Sequence, residues 1–201
     1  MENSRLKNSA LNFASGFLGR MLAILLNFAV RTIFIYCLNE AYLSVNGLYS
    51  NILTVLSLAE LGFGSAMVYR MYAPVAVKDY QKAAALLQFY KKIYIIIGVV
   101  IFFLGLCVIP FMDYIIKDKP DISGLTLYYI LFLVNTSISY WFSSYKASVL
   151  YADQKEYIKT NVQNTMAILQ SGLQIVLLLL FRKYLLYLLI QLAGNIFLNL
   201  Y

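Results

Sequence analysis

The sequence predicts an all-α integral membrane protein, and three observations carry that prediction. Hydrophobic residues make up 62% of the 201 positions and charged residues only 12%. The mean hydropathy is +0.73, a value that no water-soluble core explains. The apolar residues are also gathered into runs long enough for the roughly 20-residue helix that a bilayer requires, without the alternation of a membrane β-barrel. Six windows hold these runs, at about 11–38, 42–69, 93–116, 125–151, 160–181 and 184–201. Several exceed the bilayer thickness, so tilt or projecting ends are expected.

The first window contains two arginines, Arg20 and Arg31. Each costs roughly 2.5 to 3.5 kcal/mol near a bilayer centre, so each must face protein or water. Eleven residues apart, they return to nearly the same helical face about 16 Å further along the axis. Asn27 lies between them on that face and Gly16 lies four residues before Arg20, so a polar stripe runs down the helix. A membrane cavity lined by fixed cations implies an anionic cargo. The alternative for each arginine is a packed ion pair with Glu60 or a snorkel to an interface.

The second window carries the most specific string, from Ser57 through Glu60, Gly62 and Gly64 to Arg70 and Tyr72. Small residues at 62, 64, 65 and 66 would let a neighbouring helix approach closely. Glu60 must find a cation, a donor network or a proton. It reads either as half of a structural ion pair or as a proton-exchanging switch. Arg70, at the inner edge, either enforces topology or receives an incoming anion.

The segment 70–92 reads as a cytoplasmic amphipathic loop with a short surface helix, capped by Asp79 and apolar along Ala83, Leu86, Leu87 and Tyr90. Its lysines read as a solvated, topogenic face. The connector from Asp113 to Asp121 alternates acid and base, with Pro120 opening the next helix. In the fourth window Asn135, Ser139 and Lys146 share one helical face, with Ser143 close by. In the fifth, Gln163, Gln170 and Gln174 make another, suited to sugar hydroxyls or to bonds between helices. Many of the eighteen tyrosines, including Tyr36, Tyr42, Tyr69, Tyr72, Tyr114, Tyr128, Tyr151 and Tyr184, fall near window ends, as headgroup anchors do.

Cation placement sets the expected topology. With the amino terminus inside, ten cations (Arg5, Lys7, Arg70, Lys78, Lys82, Lys91, Lys92, Lys146, Lys155, Lys159) are cytoplasmic and four (Lys117, Lys119, Arg182, Lys183) lie outside. The net charge of +7 is therefore topological, and no soluble basic domain exists to bind nucleic acid. Residues 1–10 lack the features of a cleaved signal, so the first helix is expected to be retained. Cys37 and Cys107 form no motif and read as packing residues. The chain has no histidine, which removes imidazole relays and the usual zinc sites, and no phosphate-binding glycine loop is present.

Asn12-Phe13, the run from Arg31 to Ile35, Tyr42-Leu-Ser-Val-Asn46-Gly47-Leu48, Leu58-Ala-Glu60-Leu-Gly62-Phe-Gly64, Asp79-Tyr-Gln-Lys82 and Tyr90-Lys-Lys-Ile-Tyr94 together resemble a Wzx-type polysaccharide flippase. That is the bacterial polysaccharide biosynthesis transport family, in the superfamily that also holds multidrug exporters and lipid II flippases. The resemblance runs over the whole chain and is most specific between Arg31 and Tyr94. It implies the six-helix N-terminal lobe of a two-lobed, V-shaped alternating-access transporter in the bacterial cytoplasmic membrane. It also implies a cargo, an oligosaccharide repeat unit linked through pyrophosphate to undecaprenol. For such a cargo the candidate headgroup-binding residues are Arg20 and Arg31, with Asn27 as a neutral donor, and Glu60, Arg70 and Lys146 complete the candidate substrate-binding set. The partners are then membrane lipids, a second lobe or a second copy, and H+ or Na+ as candidate coupling ion. No cofactor or bound metal is called for, and the chain is expected not to be an enzyme. Two other readings stay open: a cation-coupled multidrug exporter of the same superfamily, and a half-molecule that serves only as an assembly partner.

Overall fold

A computed structural model describes residues 2–60, 62–116, 122–142 and 146–200, with side chains from Ser9 onward except those of Ala59, Asp113, Ala147 and Leu200. Among the described residues the chain is all-helical. The elements are α1 (Glu2–Leu38), α2 (Glu40–Ser57), a 3₁₀ turn (Leu58–Glu60), α3 (Phe63–Ala76), α4 (Tyr80–Val108), a second 3₁₀ turn (Ile109–Phe111) and α5 (Met112–Ile115). They continue with α6 (Leu125–Phe142), α7 (Ala147–Ala152), α8 (Glu156–Phe181) and α9 (Tyr184–Leu200).

Four stretches are long and apolar enough to cross a membrane, Ser9–Leu38, Tyr80–Phe111, Leu125–Phe142 and Glu156–Phe181. Tyr184–Asn199 is apolar but shorter. The outward surfaces of these helices are greasy. On α1, Phe13 is 75% exposed and Phe28 74%, and α4 and α8 present Ile96, Phe103, Leu169 and Leu180 in the same way. So large an apolar surface has a ready physical explanation if hydrocarbon lies against it.

Helix ends follow from local chemistry. One residue, Asn39, turns α1 into α2. Its φ of 83° breaks the first helix, and its Oδ1 accepts from the backbone N–H groups of Ala41 (3.0 Å) and Tyr42 (3.4 Å) to cap the second. Asp79 caps α4 by accepting from Lys82 N at 3.0 Å. The first turn of α8 is held from outside the helix. Asn12 on α1 accepts from Tyr157 N (2.7 Å) and donates to Gln154 O (3.1 Å), where the long α1–α8 pairing begins.

The second window is two helices, not one. The chain leaves α2 through a 3₁₀ turn and re-enters helix at α3 with Gly62 at φ 91°, a left-handed conformation that glycine adopts without Cβ strain. The fourth window is described as α6, up to Phe142, and α7, from Ala147, with 143–145 outside the described residues. The short segments α3 and α7 pack on each other. The expected surface helix within 70–92 differs as well. Its first part closes α3, and the rest is the start of an unbroken α4, because no breaker separates Tyr80 from Val108. The expected apolar face persists, with Ala83, Leu86, Leu87 and Tyr90 packed in the smaller core. The connector cations Lys117 and Lys119, with Pro120, lie outside the described residues.

The larger core joins Phe34 and Leu38 of α1, Val45, Tyr49 and Leu53 of α2, Tyr129, Phe132 and Leu133 of α6, Leu178 of α8, and Tyr184 and Leu188 of α9. Tyrosine serves it as an apolar ring with a hydroxyl that must be paired. Tyr49 donates to Leu125 O, Tyr129 to Gly105 O and Tyr184 to Asn46 Oδ1, each at 3.0 to 3.1 Å. Tyr184 also meets the rings of Phe34, Tyr42 and Tyr128 at 4.8 to 5.7 Å. Of the tyrosines expected as interfacial anchors, Tyr36, Tyr69, Tyr72 and Tyr114 are exposed. Tyr42, Tyr128 and Tyr184 instead belong to this cluster, because helix ends here pack on helix ends. The crossing of α4 and α6 depends on two glycines seven residues apart, with Gly98 against Tyr140 and Trp141, and Gly105 against the Leu133 side chain.

Two stability measurements check this account. Asn39→Ala removes the cap and leaves a strained φ, so it should lower unfolding free energy by about 1–2 kcal/mol, whereas Asn39→Gly should lower it by less. Gly105→Leu has no room at Leu133 and should lower thermal stability in detergent far more than the same change at Gly16, where a Cβ would meet open space.

Candidate functional site: an amide-lined cavity and its neighbours

α1, α6, α8 and α9 line a cavity of about 670 Å³ that Glu60 of the 3₁₀ turn also borders. That volume lies within the roughly 300–1,000 Å³ of small-ligand sites. Each helix contributes amides or hydroxyls: Asn27 from α1, Asn135, Thr136 and Ser139 from α6, Gln163, Gln170, Ser171 and Gln174 from α8, and Gln191 and Asn195 from α9. Glu60 is the one charged side chain among the described residues that line it. A polar-lined space thus lies within a bundle whose outer surface is largely apolar.

Part of the lining is tied up in structure. Asn195 Nδ2 donates to Asn135 O (2.6 Å), Asn135 Oδ1 (3.1 Å) and Ser139 Oγ (3.1 Å), which fastens α9 to α6. Asn199, one turn on, donates to Asn195 O (2.6 Å) and Oδ1 (2.7 Å). Gln174 is buried and donates to Tyr187 O at 3.5 Å. The rest is open. Gln163 and Gln170 make no hydrogen bond among the described residues, and Gln191 Oε1 is buried without a partner.

Glu60 is shared between this cavity and a second of about 580 Å³, lined by Gly64, Ser65, Tyr72, Tyr94, Ser148, Tyr151 and Lys159 among others. Its Oε1 accepts from Tyr94 OH at 2.7 Å. Among the described residues no arginine forms an ion pair with it, so a phenol donor stands where the sequence suggested a guanidinium. Glu60 ends the 3₁₀ turn just before the left-handed Gly62, between α2 and α3. Lys159 enters the second cavity from the first turn of α8. Its Nζ lies 5.0 Å from the centre of the Tyr151 ring and donates to Tyr151 OH at 3.1 Å.

A third space of about 310 Å³ shares Asn27, Val30 and Tyr187 with the first and is also lined by Arg31, Asn46 and Gly47. Of the residues singled out from the sequence, the structure therefore gathers Asn27, Arg31 and Glu60 around connected spaces. Arg20 is exposed on α1 and borders none of these three cavities, nor do Arg70 and Lys146, which are exposed too. Lys146 does not join Asn135 and Ser139 in the cavity lining. Ser143 lies outside the described residues. Sequence reasoning missed Lys159, assigned to a loop, and the α9 series Gln191, Asn195 and Asn199, although its four-residue spacing marks one helical face.

Comparison with protein-family models, curated proteins and solved structures returned no match.

Cysteine labelling tests the hydration of the cavity. In a Cys37→Ser, Cys107→Ser background, single cysteines at Gln163 and Gln170 should react with a small hydrophilic maleimide in membranes. Cysteines at Phe28 and Phe103 should stay unlabelled until detergent is added. Equal reactivity at all four would contradict an apolar exterior around a wet interior.

Proposed function

We propose that this chain is one lobe of a bacterial cytoplasmic-membrane transporter that flips undecaprenyl-pyrophosphate-linked oligosaccharide units outward for envelope polysaccharide synthesis. The observation that carries this reading is the cavity of amides and hydroxyls inside an apolar-surfaced bundle. A glycan needs many hydrogen bonds in place of water, and its polyprenyl tail needs lipid alongside. The sequence motifs between Arg31 and Tyr94 point the same way. The amino terminus is cytoplasmic in this reading. The six lobe helices are α1, the divided α2–α3, α4, α6–α7, α8 and α9. Arg31, in the space that adjoins the cavity through Asn27, is the residue placed to pair with pyrophosphate, since a guanidinium matches phosphate oxygens two at a time. The lobe rocks against a second lobe or a second copy of itself, and no bond is made or broken. Glu60, bordering two cavities at the helix break, is the candidate site for a coupling H+ or Na+.

The single carboxylate in the cavity favours one other reading, export of a cationic drug. Two probes separate them. Purified chain in nanodiscs should bind a short polyprenyl-pyrophosphate trisaccharide saturably, and Arg31→Ala should weaken that binding about tenfold or more, the worth of one charge-assisted contact. Binding of tetraphenylphosphonium that Glu60→Gln abolishes, with no binding of the lipid-linked sugar, would establish the exporter instead.

A further inference from the structure

The geometry points to a cavity that selects uncharged glycans and rejects acidic ones. This inference rests on the glycan-transport reading and narrows it. Every polar side chain that lines the 670 Å³ space from α1, α6, α8 and α9 is a neutral amide or hydroxyl, and the one charge among the described lining residues is the Glu60 carboxylate. Arg31 borders only the adjoining 310 Å³ space. Arg20, Arg70 and Lys146 are exposed and reach neither. Lys159 opens on the far side of Glu60, into the second cavity.

A uronic acid or other carboxylated sugar placed in the large cavity would therefore meet no cation among the described lining residues and would approach a like charge. The repulsion between two carboxylates is felt more strongly between low-dielectric walls than in bulk water. A neutral pyranose meets the opposite conditions. Carboxamides both donate and accept, as sugar hydroxyls do. Gln163 and Gln170 are uncommitted, and Gln191 Oε1 is buried without a donor, so three amides have hydrogen-bonding capacity to offer. Tyr140 and Tyr187 supply ring surface for the apolar face of the sugar. Gly194 supports this arrangement, because a Cβ there would run into the Gln170 carboxamide. Charge separation follows: uncharged sugar among the amides, phosphate towards Arg31.

The test is binding of two soluble trisaccharides, chitotriose and trigalacturonic acid, to the chain in nanodiscs, followed by tyrosine and tryptophan fluorescence. Chitotriose is expected to bind at least tenfold more tightly. Gln170→Leu should weaken it by about three- to tenfold, and Gly194→Ala, which displaces the same carboxamide while leaving it in the protein, should weaken it in the same direction. Glu60→Gln should strengthen trigalacturonate binding at least threefold. Trigalacturonate binding equal to or tighter than chitotriose, unmoved by Glu60→Gln, would overturn the selectivity and leave glycan transport standing. Binding of neither sugar would overturn both.

Discussion

In hydrocarbon a polar group has no water to turn to, and the organisation of this chain follows from that constraint. An unpaired amide or hydroxyl at bilayer depth costs several kcal/mol, so polar side chains there must bond to one another or gather along a shared polar space. The chain does both. Asn195 binds Asn135 and Ser139, and tyrosine hydroxyls in the larger core reach backbone carbonyls or Asn46. The amides left over converge on one cavity. Apolar side chains fill the two cores and also cover much of the outer surface, where a water-soluble bundle would be polar.

The break between α2 and α3 converts this packing scheme into a candidate working part. A left-handed Gly62 stops the helix at mid-sequence, and the turn before it offers a carboxylate to two spaces at once. Tyr94 of α4 holds that carboxylate with a neutral donor, so its charge is not cancelled by a neighbouring guanidinium. Discontinuous helices next to a cavity are how repeat-built transporters place ion and substrate sites near the membrane centre. The α4–α6 crossing is close-packed at Gly98 and Gly105.

The all-helical architecture was legible because hydropathy is a property of long runs, and long runs survive local surprises. Arg31, Asn27 and Glu60 were legible because a charge or amide within an apolar run must find company. Four things were not. Gly62 was read as a close-packing residue because small side chains serve both purposes, and only φ separates them. Arg20 shares a face with Arg31 by helical arithmetic, yet the neighbouring helices do not enclose that end of α1. Gln191, Asn195 and Asn199 were passed over because the window around them reads as apolar overall, although their spacing encodes a face. Lys159 was assigned to a loop since the start of α8 extends beyond its apolar part; hydropathy locates the buried length of a helix, not its cap.

The central claim is that a helix breaks at Glu60–Gly62 beside a wet cavity within an otherwise apolar bundle. Hydrogen–deuterium exchange of the chain in lipid nanodiscs, resolved to short peptides, tests it most directly. Amides at 58–65 should exchange early, while those in the middle of α2 and in α4 from 94 to 105 stay protected, because the first group is at a helix break next to water and the others are in continuous, packed helix. Uniform protection from 42 to 69 would mean a single unbroken span. It would contradict the placement of Glu60 on which the cavity account depends.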